Sequence, residues 1–471
     1  MKKSIYLVGI ALGLLSSACS DWLTVEPKTS VVAENLFTTD EGVSEALNGA
    51  YVLMRTDLYA PEGIMGGTGM AECLAATWTQ SGNADYDLSC HVYNVNNEQM
   101  GGRLNTAFTR FYTIIANVNP LIDGIMENRA RLDSNVYNIV RGEALAIRAL
   151  CHLDLIRLWG PMPTKVEAAK TYLPYVTMNS TDKYTYVTYE DYMTKLFADL
   201  NEAEVLLRRS DPILTNTADN STGSSKWLNR QKRINYYGVL GLQARARMWY
   251  GDKDEAVRYA KLVKEAVNTD GTPKFKLADN ALFASFGDGQ WDGLFYPEHL
   301  CGVHAELYNY ELGAFNSSVK VSMIYKGYEF MTLFNNSQDL RYRIWYTYGR
   351  PVPSVFCIKY QGVSPKTSGP KNMPIVRLAE MYLTIMEAGT LAEANAAYQE
   401  FCEARNLTYV PYTEDDRQER VLWEYIREFM AEGQNFFTYK RNEVKRMFNQ
   451  PEESLDCDID QYVLPLPPKE F

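Results

Sequence analysis

Two stretches of the chain carry the same helix-pair pattern at the same spacing, and this repeat constrains the fold more than any other feature. In the first, Tyr237-x2-Leu240-Gly241-x2-Ala244 is followed by Ala256-x3-Ala260-x2-Val263. In the second, Ile375-x2-Leu378-Ala379-x2-Tyr382 is followed by Ala394-x3-Tyr398-x2-Phe401. Both sets begin nineteen residues apart, 237 to 256 and 375 to 394. Small residues at fixed places let two helices cross closely, and larger ones fill the groove between them. Gly251-Asp252 and Gly389-Thr390 supply the turns. Such a pair cannot bury its apolar face alone, so pairs stack and share a core.

Other segments carry helical periodicity of their own. Asp40–Met54 places Val43, Ala46, Leu47, Ala50 and Leu53 on one face, with Thr39 or Asp40 as the cap. Leu104–Met126 repeats Phe108, Phe111, Ile115, Val118 and Ile122. Val136–Trp159 is apolar nearly all round, which predicts a helix buried on several sides, stopped at Gly160-Pro161. Tyr189–Leu207 is amphipathic, and Val421–Arg446 reads as one helix with Trp423, Ile426, Phe429 and Met430 on one face. The expected fold is mainly α: tetratricopeptide-like helix pairs form a scaffold, with long loops and a few short strands packed on one side.

Three stretches lack this periodicity. Arg55–Arg103 is rich in Gly, Asn, Asp and Thr, and loops of that length inside a compact domain are usually functional. Asp211–Lys226 is a polar loop, and Asp270–Lys371 holds strand-like pieces at Leu294–Tyr296, Arg343–Tyr348 and Val355–Tyr360. After Gln450-Pro451 an extended tail is expected.

The N-terminus reads as an export signal. Lys2 and Lys3 precede a short apolar run, Ile5–Leu15, and small residues 16–18 lead to Cys19. The run is too short to span a bilayer. A cysteine at that place resembles a bacterial lipobox, in which cleavage leaves Cys19 as the acylated N-terminus. The seven later cysteines are odd in number and contain no CxxC pair, which argues against a disulfide framework or zinc ribbon. Cys151 and Cys402 fall on apolar helix positions, whereas Cys73 and Cys90 share a loop and fit either a disulfide or two thiols. A net charge of −11 argues against nucleic acid as partner.

Together these features resemble the SusD/RagB family, outer-membrane nutrient-binding lipoproteins of Bacteroidota. The resemblance runs from Cys19 to Phe471. Cys19-Ser20-Asp21-Trp22-Leu23-Thr24-Val25-Glu26-Pro27 is similar to the family's anchored start, and Leu36–Glu41 with Ala46–Tyr51 to its first helix. Arg148-Ala149-Leu150-Cys151-His152-Leu153-Asp154-Leu155 looks like its core helix, with Cys151-His152 in place of the usual aromatic pair. Ile375–Leu383, Glu428-Phe429-Met430-Ala431-Glu432-Gly433-Gln434 and Leu464-Pro465-Leu466-Pro467 are similar to its C-terminal signatures.

The resemblance implies a signal peptide over residues 1–18 and one domain over 19–471, with loop-rich insertions at about 55–103 and 270–371. It implies a lipid anchor at Cys19, a position on the outer membrane facing outward, and a TonB-dependent transporter as partner. The implied function is capture of a glycan, or in some branches a peptide, with no chemistry on the ligand and no cofactor. A glycan-active enzyme of the same surface system is the alternative.

Sugar rings have an apolar face and a rim of hydroxyls, so a glycan site needs aromatic platforms flanked by amides and carboxylates. The 55–103 loop offers Trp78, Asn83, Asp85, Tyr86, His91 and Tyr93, with Arg103 as a bidentate donor, and a second loop adds Tyr308 and Tyr310. Trp345 and Trp423 lie on apolar patterns and are expected in the core. His299-x-Cys301-x2-His304-x-Glu306 has metal-ligand types but no second cluster to complete a site, and Gly66–Gly69 lacks the Lys-Ser/Thr of a phosphate loop. No Ser-nucleophile motif is present, and no carboxylate pair stands out as acid and nucleophile. With four histidines in the chain, little acid–base machinery is available.

Overall fold

The computed structural model describes residues 36–60, 63–67, 69–77, 87–218, 227–281, 293–304, 324–326, 332–334, 336–349, 354–357, 359, 372–450, 452 and 454–467. The fold is mainly helical. α1 (Asp40–Leu53) starts on Thr39, whose side chain accepts from Gly42 N, and ends in a π-helical turn at Met54–Leu58. A short α2 (Met70–Leu74) precedes α3 (Glu98–Glu127), which begins six residues before the expected Leu104 because Asn97 caps it through Met100 N. The 55–103 stretch is therefore partly helical rather than one continuous loop.

α4 (Ser134–Trp159) is the centre of the core. Every residue from Ile139 to Trp159 is buried, charged ones included. Burial of a charge is costly unless a partner is close, and each buried charge of α4 has one, Arg141 on Glu202 and Asp154 on Arg157 among them. Arg148 grips Asp199 of α5 (Tyr189–Ser210) with two bonds of 2.7 Å, and Arg230 reaches Glu143 at 2.5 Å. A Cβ on Gly142 would stand 2.8 Å from Leu207 Cγ, so glycine there lets α4 and α5 approach. Two short strands, β1 (Thr171–Leu173) and β2 (Val187–Thr188), pair between these helices.

The two helix pairs appear as expected. α6 (Tyr236–Tyr250) and α7 (Lys253–Lys264) form the first, joined at Gly251, whose φ of 98° suits glycine. α9 (Leu378–Ala388) and α10 (Leu391–Arg405) form the second, joined through the Thr390–Glu393 capping box. One detail differs. Ile375 belongs to strand β7 (Asn372–Arg377), antiparallel to β3 (His299–His304), so the second pair's first helix starts only at Leu378. Gly241 faces that ribbon rather than a helix: an added Cβ would meet Val376 Cγ1 at 2.8 Å.

Between the pairs, β4 (Ile324–Lys326), β6 (Ser354–Cys357) and β5 (Tyr346–Gly349) form a three-stranded sheet in that order. The expected strand at Arg343–Tyr348 is in fact the end of α8 (Leu340–Trp345) followed by β5, and Leu294–Tyr296 leads from a turn into a 3-10 helix at Tyr296–Glu298. Trp345 is fully buried, as expected.

The predicted helix over 421–446 is broken in two, α11 (Arg417–Glu428) and α12 (Asn435–Arg441). Ala431 and Gly433 take positive φ between them, and an added Cβ on Gly433 would lie 2.4 Å from Met65 O. That close backbone approach forces the break. The tail holds a short α13 (Ile459–Tyr462) with its own capping box. Cys73 and Cys90 are buried and not joined to each other, and Cys151 and Cys402 are buried in the core. Among the described residues no helix is long and apolar enough to cross a membrane.

Candidate ligand-binding site

The sequence-derived site residues divide into two groups. Cys19, Trp78, Asn83, Asp85, Tyr86, Tyr308 and Tyr310 lie outside the described residues. His91, Tyr93 and Arg103 are described, and each is engaged by the protein itself.

His91 is buried rather than offered to a ligand. Its Nε2 lies 3.0 Å from Leu74 O and so carries the proton, which leaves Nδ1 to accept from the Cys457 thiol at 3.4 Å. Burial lowers the imidazole to about 4 and raises the thiol to about 12. The pair is therefore neutral at physiological pH and has no thiolate character. Tyr93 is half-buried and donates to Gln461 O at 2.6 Å, pinning the loop to α13. Arg103 projects from α3 toward Cys73, with Nη2 3.7 Å from Sγ.

A cavity of about 360 Å³ opens elsewhere, between α10, α11 and the segment before α8. Buried Phe334, Asp339, Tyr398 and Glu424 form its floor, while Asn336, Thr408, Arg420, Trp423 and Arg427 form its rim. Trp423 is half-buried at the mouth rather than sealed in the core, with Phe448 edge-on at 6.4 Å. The face of α11 that turns inward carries Val421, Glu424, Tyr425 and Glu428, because two glutamates find arginines there. Helical spacing of apolar residues alone conceals this, since carboxylates count as solvent-facing.

Beneath the cavity lies a cluster of buried charges. Arg341 Nη2 bonds Asp339 Oδ2 at 2.7 Å and faces Glu424 Oε2 at 2.9 Å, while its Nη1 lies 3.3 Å from Glu428. Arg405 reaches Glu428 at 2.7 Å and Glu298 at 2.8 Å, and Arg377 joins both of those and Glu432. Burial alone would raise the Glu428 carboxyl, but the charges of Arg405, Arg377 and Arg341 hold it well below the usual range. Glu424 is likewise held low, by Arg427 and Arg341 against burial. A carboxylate held ionised accepts hydrogen bonds but does not donate a proton, so Glu424 is not set up as a general acid.

The His299–Cys301–His304 pattern dissolves in the fold. His299 Nε2 lies 2.7 Å from Leu294 O and its Nδ1 2.9 Å from Asn372 Nδ2, so both ring nitrogens are occupied.

Comparisons with known proteins place this architecture. A SusD-like family model described as "Starch-binding associating with outer membrane" matches residues 21–218, and the "SusD family" model matches residues 346–462. Together the two span more than half of the chain, which belongs to the SusD/RagB family. A SusD-like protein of Formosa agariphila is 24% identical over 172 residues, covering 36% of this chain and 32% of that protein. The chain thus matches about a third of the length of that curated relative. Its fold is similar to the crystal structure of a SusD superfamily protein from Bacteroides thetaiotaomicron, with TM-score 0.71 and 19% identity over 92% of this chain and 97% of that one. It is also similar to a SusD-like carbohydrate binding protein from Bacteroides vulgatus, with TM-score 0.66 and 16% identity over 92% and 96% of the two chains.

Proposed function

We propose that this protein is a cell-surface lipoprotein that captures a nutrient glycan and delivers it to a TonB-dependent outer-membrane transporter without altering the ligand. In this reading residues 1–18 are removed, Cys19 carries the lipid, and residues 19–471 act as one domain facing outward. The observation that carries it is the family match over 21–218, whose model is described as starch-binding and outer-membrane-associated. The aromatic and polar cavity beside Trp423 supports binding.

Trp78, Asn83, Asp85 and Tyr86, with Tyr308 and Tyr310, remain the proposed aromatic and polar contacts of a glycan chain. His91, Tyr93 and Arg103 then serve to hold that loop, since their polar groups face Leu74, Gln461 and Cys73.

Two measurements test the reading. Tagged full-length protein purified from outer membranes should bring down a TonB-dependent transporter, and its incubation with bound glycan should release no new reducing ends. Glycan cleavage abolished by a single carboxylate substitution would replace the binding reading with an enzymatic one.

A further inference from the structure

The cavity between α10, α11 and the residues Phe334, Asn336 and Asp339 is large enough for a small ligand and lies beside partly exposed aromatic surface. Its volume of about 360 Å³ lies near the lower end of the roughly 300–1,000 Å³ usual for small-molecule sites. Buried Phe334, Asp339, Tyr398 and Glu424 bound it on the protein side, and its volume suits one or two sugar units, as a chain end or a branch presents.

Three aromatic rings line it, Phe334, Tyr398 and Trp423. Tyr398 is fixed by stacking on Tyr412 with centroids 4.2 Å apart, and Asp339 is fixed by Arg341 at 2.7 Å. Rings and carboxylates held in this way lose little freedom when a ligand arrives.

The charges around the cavity are already matched. Arg427 directs Nη1 to Glu424 Oε1 and Nε to Leu333 O, each at 2.7 Å. Arg420 directs Nη1 to Asp416 Oδ2 at 3.0 Å and Nη2 to Val410 O at 2.6 Å. Both terminal nitrogens of Arg420 are bonded, and the Arg427 guanidinium is already shared with Glu424, so an incoming anion must compete for it. A carboxylated or sulfated sugar would bring an extra negative charge beside Asp339 and Glu424 and face that competition. Hydroxyls, by contrast, find both donor and acceptor in the half-buried Asn336 amide and a partner in the exposed Thr408 hydroxyl, while Asp339 and Glu424 stay bonded to Arg341 and Arg427.

We propose that this cavity is a pocket for the terminal one or two uncharged sugar units of the glycan, stacked on Trp423. The proposal rests on the carbohydrate-binding function above and adds to it a site and a sugar class.

The test is calorimetric titration of the full chain with maltose, cellobiose, mannobiose and galactobiose, with digalacturonic acid as the charged comparison, beside a panel of polysaccharides. At least one neutral disaccharide should bind, and Trp423→Ala should weaken it tenfold or more. Thr408→Trp, which fills the exposed rim without touching the floor, should do the same and guards against loss through misfolding. Unchanged disaccharide affinity in both variants would overturn the pocket, as would tighter binding of digalacturonic acid, or polysaccharide binding with no disaccharide bound. In each of those cases the glycan-binding function stands. Failure of the unsubstituted protein to bind any carbohydrate would overturn the function as well.

Discussion

The N–H of Gly433 donates to Glu72 Oε1 at 2.5 Å, joining α2 to the break between α11 and α12 across 361 positions of chain. Glu72 is fully buried, and that burial raises its carboxyl from 4.5 to about 7, more than the bonds from Thr77 and Gly433 lower it. A raised acid stabilises the fold while protonated in both states, below pH 4.5, and that contribution is lost as pH rises through about 7. Glu72→Gln keeps an acceptor for Gly433 N–H and removes the titration. Denaturant unfolding should show the variant more stable than the unsubstituted protein at pH 8, by up to about 3 kcal/mol, with little difference at pH 4.5. An equal difference at both values would contradict the assignment.

Lys440 closes the C-terminal end of α4. Its Nζ lies 2.8 Å from Arg157 O, 3.3 Å from Leu158 O and 2.8 Å from Gly160 O, in full burial. Burial and then the charge of Arg157 push the ammonium well below its ordinary value. Its favourable contacts are carbonyls at the negative end of a helix. Lys440→Met takes the ammonium from the Arg157 and Gly160 carbonyls, while Leu158 O keeps the Leu464 N–H, and should cost about 3 kcal/mol in urea unfolding. A loss under 1 kcal/mol would mean that water replaces the ammonium there.

The Arg377–Glu428 pair is sealed from solvent, with Glu298 and Glu432 on the same guanidinium. Arg377→Leu removes one cation from three buried carboxylates, leaving Arg405 and Arg341 to hold Glu298 and Glu428 and Lys359 to hold Glu432. It should cost about 3 kcal/mol, with little change between low and high salt. Lys264→Ala, at an exposed pair with Glu400, should cost under about 1 kcal/mol and lose even that in salt.

The described cysteines give a chemical check on the core. All seven are buried and outside any disulfide, with Cys301, Cys357, Cys402 and Cys457 raised by burial to about 12. Protein lacking residues 1–19 should not react with a thiol reagent when native, and should expose seven thiols on denaturation without a reductant. Five thiols, with Cys73 joined to Cys90, would contradict the structure.

Helices whose faces are set by apolar period were legible from residues alone: α1, α4, α5 and both helix pairs lie where the spacing puts them. The errors have a shared cause in distant partners. Ile375 joins a strand because β3, some seventy residues earlier, pairs with it. The 421–446 helix breaks because Gly433 meets Met65, and Glu424 and Glu428 turn inward because Arg341, Arg377 and Arg405 await them. His91 and Tyr93 have the right chemistry for a sugar, but their partners, Cys457 and Gln461, are more than 360 positions away. Trp423 was hidden for the opposite reason: it sits beside core residues on α11 yet opens onto the cavity.

The central claim is that this chain holds carbohydrate. Native electrophoresis of residues 20–471 through gels with and without embedded polysaccharides tests it most directly. At least one neutral polysaccharide should retard the protein, and a soluble fragment of that polysaccharide should release it. Unchanged mobility across the polysaccharides, with binding to a peptide library instead, would contradict the account.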